Sequence, residues 1–172
     1  MRVKVFVIEF HDDDPKKCTS RKMLRFKKAI STNRPKGIVL NPYAKEIISK
    51  NDINNAIKGG ITIIDSSWNK SDNNFYEKHM FRNSRRLPFL LAGNPVNYAK
   101  PMMLSSIEAV FAALYILGFK DDAAELLALY KWMETFVSLN SELLDTYSGK
   151  DENDIREVER EVIERIMGEP RQ

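Results

Sequence analysis

The first candidate for chemistry in this sequence is the segment ITIIDSSW, residues 61–68, in which an apolar run ends in Asp65 and two serines. Such a run indicates a β-strand, and parallel sheets bind ligands outside the carboxyl ends of their strands. Asp65 is therefore a candidate site residue, although a turn or helix-capping aspartate would give the same pattern. Trp68 closes the segment, and a large aromatic residue at a strand end is more often part of the core.

A second candidate is Thr19, which stands where the first helix is predicted to begin. The free N–H groups of a helix N-terminus, with a hydroxyl beside them, could bind a carboxylate or a phosphate. An ordinary N-cap explains the residue equally well. The three aspartates at 12–14 favour a solvated turn over a magnesium site.

The charge of the chain is unevenly distributed. Residues 1–100 hold 20 Lys and Arg against 9 Asp and Glu, a formal charge of +11, whereas residues 101–172 hold 7 against 15, a formal charge of −8. Two basic runs lie near the candidate sites and favour contact with the phosphate backbone of a nucleic acid over a merely solvated face. They contain Lys16, Lys17, Arg21, Lys22, Arg25, Lys27 and Lys28, and then Lys78, His79, Arg82, Arg85 and Arg86.

The elements that must position these residues fall into two parts. The strand patterns RVKVFVIEF, KGIVLNP and ITIIDSSW alternate with helical patterns, which predicts a parallel, helix-covered sheet in residues 1–86. The helix predicted over residues 21–30 has Met23, Leu24, Phe26 and Ile30 as its inner face. Residues 87–172 are predicted to be mostly helical, and a capping box from Ser105 to Glu108 opens a buried helix that ends at Gly118.

The loop LLAGNPVNYAKP, residues 90–101, joins the two parts and needs an explanation. Its two prolines and one glycine exclude an uninterrupted helix and a central strand. It is nevertheless too apolar for a free surface loop.

Several function classes are excluded or disfavoured by what the sequence lacks. No run of about 18 apolar residues predicts a membrane span, and the apolar start indicates a strand, not a signal peptide. The single cysteine, Cys18, favours a reducing cytoplasm, and the two histidines give no zinc pattern. No Walker A or G-x-G-x-x-G pattern occurs, and no nucleophilic triad is evident.

Four segments, in this order, resemble the small-subunit ribosomal RNA aminocarboxypropyltransferases, a ribosome-biogenesis family of archaea and eukaryotes. They are DPKKCTSRK, IIDSSWN, RRLPFLLAGNPVNYAKPMMLSSIEA and WMETFVSLNSELLDTY. The most specific part is LP-x-L-x-A-x-NPVNY preceded by Asp-x-Ser-Trp, and the resemblance extends over residues 3–147.

The resemblance implies a fold like that of the SPOUT RNA methyltransferases, with a C-terminal trefoil knot whose loops bind S-adenosylmethionine (SAM). The loop at residues 90–101 would be part of this pocket. Family members transfer the 3-amino-3-carboxypropyl group of SAM, not its methyl, to N3 of a pseudouridine in small-subunit rRNA, often one already methylated at N1. Methylthioadenosine leaves, and no metal takes part.

The same resemblance implies roles for individual residues. The cofactor positions are Thr19 and Ser106 for the carboxylate, the Ile64 backbone for the ribose, the Leu87 and Met102 backbones for adenine, and Trp68 for packing. Asp65 would act as the general base for N3, or it would stabilise the sulfonium.

Two other functions remain open at this point. One is a SPOUT-type RNA methyltransferase that uses the same pocket, and the other is a non-catalytic assembly factor that binds pre-rRNA within the pre-ribosomal particle. SPOUT enzymes typically dimerise, but the acidic C-terminal helices could cover that face here, which favours a monomer.

Overall fold

A computed structural model of the chain describes residues 1–10, 18–65 and 73–168. Within these ranges five strands form one sheet in the order β2-β1-β4-β3-β5, and every neighbouring pair is parallel. The parallel sheet predicted from the strand–helix alternation is therefore confirmed. The strands are β1 Val5–Glu9, β2 Ile30–Ser31, β3 Ile38–Leu40, β4 Ile61–Asp65 and β5 Ser84–Arg85.

The helices cover the sheet and fill the C-terminal part of the chain. They are α1 Thr19–Arg25, α2 Ile53–Gly59, α3 Asn73–Lys78, α4 Ser106–Leu117, α5 Lys120–Ala124, α6 Met133–Tyr147 and α7 Glu152–Met167. Short 3-10 turns lie at Lys50–Asp52 and Leu127–Leu129. None of the helices in the described ranges is long and apolar enough to cross a membrane.

The predicted inner face of α1 is partly wrong. Met23 is buried, but Phe26 and Ile30 are 53% and 52% exposed. The helix ends at Arg25 because Lys27 adopts a left-handed conformation, φ 58°, and the Lys28 N–H donates to the Met23 carbonyl at 2.8 Å. This terminating turn redirects the chain into β2, so the residues after it no longer follow helical periodicity.

The predicted central helix is confirmed as α4. It begins after the capping box of Ser105 and Glu108, ends at Gly118, and buries most of its surface. Its neighbours include β4, α1, α5 and α6, so it connects the sheet to the C-terminal helices. One continuous core includes residues from both sides of the predicted 86/87 boundary, and the division into two domains stays a prediction.

Side chains of α6 and α7 hold the irregular segment that follows β5. Glu159 accepts two hydrogen bonds from the Arg86 guanidinium, at 2.7 and 2.8 Å, and a third from the Phe89 backbone N–H at 2.8 Å. Asn140 exchanges two hydrogen bonds with the backbone of Leu91, each 2.8 Å long, as a neighbouring strand would. The segment thus satisfies its backbone groups without belonging to the sheet.

Gly93 allows α6 to pass directly over this segment. A β carbon at residue 93 would lie 2.5 Å from the Cα atom of Phe136 on α6, which is closer than real contacts allow. The glycine in the proline loop is therefore needed for the close approach of a helix.

Candidate active site

A cavity of about 940 Å³ lies at the carboxyl edge of the sheet. Its walls come from the ends of β3, β4 and β5, the first residues of α1 and α4, and the loop between Asn94 and Ser105. Ligands of parallel α/β sheets bind at this edge, and the volume is within the usual range for small-molecule sites. Five of the six predicted cofactor positions border the cavity: Thr19, Ile64, Leu87, Met102 and Ser106.

The N-termini of α1 and α4 meet at one end of this cavity. Thr19 is the first residue of α1, as predicted, and its hydroxyl accepts a hydrogen bond from the Ile107 backbone N–H at 3.1 Å. Ser106 is the first residue of α4, and Ser105 caps that helix. The two hydroxyl residues predicted to hold a carboxylate are thus brought together beside the positive end of a helix dipole.

Asp65 lies at the end of β4 and is 6% exposed. The Cys18 thiol donates to both of its carboxylate oxygens, with sulfur–oxygen distances of 3.2 and 3.4 Å, and the Ser20 hydroxyl lies 2.9 Å from the same sulfur. Burial raises the pKa of Cys18 above its ordinary value, and the negative charge of Asp65 raises it further. The thiol is therefore neutral at pH 7 and remains a donor to Asp65.

Cys18 is a site residue that the sequence did not identify. It borders the cavity together with Asp65, although 47 positions separate the two in the sequence. The only signal was its place directly before Thr19, and no pattern in the sequence paired it with an aspartate.

The raised pKa of Cys18 predicts slow alkylation. A thiolate is the reactive form, so modification by iodoacetamide in the folded protein should be at least tenfold slower at pH 7.5 than in the urea-unfolded chain. The folded rate should still increase between pH 8.5 and pH 10, where an ordinary thiol is already levelling off. Mass spectrometry of timed, quenched samples measures both rates, and equal rates in the folded and unfolded chains would contradict the raised pKa.

The loop that connects the irregular segment after β5 to α4, here called the rim loop (residues 94–102), is attached by the buried carboxylate of Glu108. One Glu108 oxygen accepts from the Gly93 N–H at 2.7 Å, and the other accepts from the Asn94 amide at 2.6 Å. The second oxygen also accepts from the N–H and the hydroxyl of Ser105, at 2.9 and 2.8 Å. The residue that closes the capping box therefore also attaches the rim loop to α4.

Backbone hydrogen bonds make the rim loop a closed unit. Ala99 donates to the Ala92 carbonyl at 2.7 Å, and Met102 donates to the Leu90 carbonyl at 2.9 Å. Ala99 and Met102 both have positive φ, 61° and 63°. This is the left-handed region that residues with a β carbon rarely adopt.

Tyr130 and Trp132 also border the cavity, although no pattern in the sequence predicted them there. Their ring centroids are 4.9 Å apart. The Lys22 ammonium lies over the Tyr130 ring, 4.1 Å from its centroid, and burial raises the pKa of Tyr130. Tyr130 therefore connects the cavity to the basic side of α1.

Two of the predicted RNA-binding arginines form close ion pairs within the protein. Arg85 borders the cavity and pairs with Asp52 and Glu46, at 3.1 and 3.2 Å, and Arg86 pairs with Glu159. Arg25 and Arg82 are exposed. Three further predicted contacts have weaker ion pairs or ring contacts, Arg21 with Glu9, Lys22 with Tyr130 and Lys28 with Glu125, and Lys16, Lys17 and Trp68 lie outside the described residues.

Comparison with known proteins identifies the family. A family model described as "Ribosome biogenesis protein, C-terminal" matches residues 38–163. The 16S rRNA aminocarboxypropyltransferase of Sulfurisphaera tokodaii is 51% identical over 168 residues, which cover 98% of this chain and 100% of the relative. The chain belongs to the 16S rRNA aminocarboxypropyltransferase family.

More distant members of this family agree. The Methanocaldococcus jannaschii 16S rRNA aminocarboxypropyltransferase is 43% identical, with 93% of this chain and 96% of the relative covered. A solved structure described as the SAM-dependent rRNA:acp-transferase Tsr3 from Vulcanisaeta distributa is 35% identical, with a TM-score of 0.81, and the match covers 94% of this chain and 98% of that one.

A second family model, "Possible Fer4-like domain in RNase L inhibitor, RLI", matches residues 3–37. A cluster of the [4Fe–4S] type is held by four cysteine thiolates. Residues 3–37 contain Cys18 alone, so the donor set for such a cluster is not present in this segment of the aminocarboxypropyltransferase.

Proposed function

We propose that the chain transfers the 3-amino-3-carboxypropyl group of SAM to small-subunit rRNA, at N3 of a pseudouridine, and releases methylthioadenosine. The observation that carries this proposal is the cavity itself. It places the hydroxyl pair Thr19 and Ser106, the backbone of three predicted cofactor positions and the carboxylate of Asp65 around one space.

The residues of the cavity fit SAM. The carboxylate of the amino-acid arm is expected at the N-terminus of α4, where Thr19 and Ser106 offer hydroxyls and the helix dipole favours an anion. Apolar walls that include Leu87 and Leu104 suit the adenine ring, whose edge the backbone of Leu87 and Met102 would recognise. The Ile64 backbone is expected at the ribose. The packing role of Trp68, which lies outside the described residues, stays a prediction.

When bound, SAM supplies carbon atoms that are electrophilic because they are attached to a sulfonium. The cavity selects among them by position, since only the carbon aligned with the nucleophile reacts. Asp65 accepts the proton of N3 as the bond from N3 to the aminocarboxypropyl carbon forms, and the electron pair of the broken carbon–sulfur bond leaves with sulfur. Cys18 orients the carboxylate through its two contacts.

Isotope transfer tests the proposal against its rivals. The purified protein is incubated with small ribosomal subunits and with SAM labelled either in the methyl or in the carboxyl group. Carboxyl label in the rRNA, without methyl label, is the expected result. Methyl label would indicate an RNA methyltransferase, and label in neither, with no SAM binding, would indicate a non-catalytic assembly factor.

The basic side of α1 is proposed to contact rRNA phosphates. Arg25 and Lys27 are both exposed, so their replacement by glutamate should leave folding intact. We expect the double variant to bind rRNA at least tenfold more weakly at 0.15 M salt, with SAM affinity unchanged, because each lost phosphate contact reduces the salt-dependent part of binding. Filter binding at several salt concentrations should also give a shallower slope.

The matched control for this experiment is the double replacement of Lys4 and Lys58 by glutamate. These lysines are also exposed, and they lie next to the amino-terminal ends of β1 and β4, away from the cavity. Equal losses in the two double variants would show that net charge, and not the α1 surface, determines rRNA affinity.

Three further features belong to this proposal: a SPOUT-like trefoil knot, a monomeric state and a cytoplasmic location. The knot is supported by the closed segment between Leu90 and Met102, which α6 crosses at Gly93. The acidic balance of α7, with six acidic residues against three basic ones, supports the monomer. The single cysteine supports the location.

A further inference from the structure

The rim loop carries two large apolar side chains that are exposed to solvent. Val96 is 72% exposed and Tyr98 is 57% exposed. Val96, Asn97 and Lys100 border the cavity, so Tyr98 lies between residues of its rim. Adenine recognition would explain the backbone at Met102, but it gives no reason for apolar side chains that point to solvent.

The rim loop is held in a conformation that is costly for its sequence. Ala99 and Met102 have positive φ. The Asn94 side chain accepts from the Asn97 N–H at 2.9 Å and donates to Glu108 and to the Met103 carbonyl. Strained backbone of this kind persists where the surroundings fix it, and it clusters at ligand sites. A rigid loop presents Val96 and Tyr98 to a partner with little loss of entropy on binding.

The charges around the rim indicate the kind of partner. Lys100 borders the cavity on the rim loop, and Lys22 lies over Tyr130 at another part of the cavity wall. Arg25 at the end of α1 and Lys27 in the turn after it extend this basic surface. Exposed aromatic and apolar side chains next to cations are suited to single-stranded RNA, whose bases stack on aromatic rings while its phosphates contact the cations.

The position of Asp65 adds a geometric requirement. Asp65 is buried at the end of β4 and borders the cavity. The acceptor nucleobase must therefore leave its stack to reach this carboxylate. The bases on either side then lose a stacking partner, and enzymes that extrude a base must compensate for that loss.

We propose that Tyr98 stacks on a base next to the acceptor nucleotide and that Val96 occupies part of the space that the extruded base leaves. This inference rests on the proposed function, because it assumes an rRNA base as the acceptor. It assigns the rim loop two tasks, in which its backbone faces the cofactor and its exposed side chains hold the RNA open.

The test compares three variants on one RNA, a synthetic hairpin that carries the target loop with its pseudouridine. Tyr98→Ala, at a residue outside the cavity lining, should raise the KM for this RNA about 10- to 100-fold, the range that loss of base–aromatic stacking gives. SAM affinity and the slope of log affinity against log salt should stay unchanged. Tyr98→Phe should stay within threefold of the unaltered protein.

Ile57→Ala is the matched control, because Ile57 is an equally exposed apolar residue, at 50%, on α2 and outside the cavity lining. An unchanged KM in Tyr98→Ala, or a parallel loss of SAM affinity in that variant, would overturn the inference. So would a Tyr98→Phe variant as weak as Tyr98→Ala. If the unaltered protein binds this hairpin but transfers no label from SAM, the proposed function fails. If the unaltered protein transfers the label and the KM does not change in Tyr98→Ala, the inference alone fails.

Discussion

Replacement of Asp65 by asparagine is expected to lower the rate constant of aminocarboxypropyl transfer by about 10²- to 10⁴-fold, the usual contribution of a general base. Asparagine keeps the shape of the side chain and can still accept from the Cys18 thiol, so the cavity should keep its form. The rate is measured in single turnover, with the complex of enzyme and carboxyl-labelled SAM in excess over rRNA. The residual rate of the variant should rise with pH, because a deprotonated N3 no longer needs the base.

The alternative role of Asp65, stabilisation of the sulfonium, makes a different prediction. In that case, replacement of Asp65 by asparagine would weaken the binding of SAM and leave the binding of S-adenosylhomocysteine unchanged, since that thioether carries no positive charge on sulfur. Calorimetry with both ligands separates the two roles. A variant that transfers the group at an undiminished rate and binds SAM with undiminished affinity would exclude both roles.

Glu9→Gln is the matched control for Asp65→Asn. Glu9 ends β1 and is paired in register with Asp65 at the same edge of the sheet, but it lies outside the cavity lining. We expect the activity of this control to stay within twofold of the unaltered protein. A large loss there would mean that charge at the sheet edge, and not the position of Asp65, sets the rate.

Much of the scaffold could be predicted because local signals and tertiary packing agree in it. The run of β4 is apolar, ends in Asp65 and is buried at all five positions. The capping box at Ser105 and Glu108 and the left-handed Gly118 set both ends of α4. These elements follow from short-range rules, which is why the strand-end and helix-start residues Asp65 and Thr19 were found.

The parts that were not predicted depend on long-range contacts. Phe26 and Ile30 follow a helical pattern, yet a left-handed Lys27 ends the helix first. The contact between Cys18 and Asp65 forms only when the start of α1 meets the end of β4. Tyr130 likewise reaches the cavity through tertiary packing, which no spacing of residues in the sequence predicts.

Glu108 shows how one residue can meet a local and a long-range requirement together. Its place in the capping box was evident from the sequence, whereas its bonds to Gly93 and Asn94 appear only in the fold. Glu108 is fully buried, and a buried carboxylate is tolerated only when donors surround it. Four donors from Gly93, Asn94 and Ser105 do so here, which couples the start of α4 to the rim loop.

Replacement of Glu108 by glutamine is therefore expected to impair both stability and cofactor binding. The new amide NH₂ group faces at least one of the N–H or O–H groups that donate to the carboxylate of Glu108. These donors then lose their partner, and each unpaired donor costs about 1–3 kcal/mol or more of the free energy of unfolding. Release of the rim loop should weaken SAM binding at least tenfold, because Met102 would lose its fixed position. Urea unfolding and calorimetry with SAM measure the two effects.

Asp151→Ala is the control that separates the attachment of the rim loop by Glu108 from simple helix capping. Asp151 caps α7 by accepting from the Asp154 N–H at 2.9 Å and lies outside the cavity lining, so its loss should cost about 1 kcal/mol and leave SAM affinity unchanged. Hydrogen exchange locates the change in Glu108→Gln, since the amides of Gly93 and Asn97 should exchange faster while those of α6 keep their protection. If SAM affinity in Glu108→Gln were unchanged despite a lower stability, the rim loop would hold its shape without this carboxylate, and the coupling between the helix cap and the cofactor site would be absent.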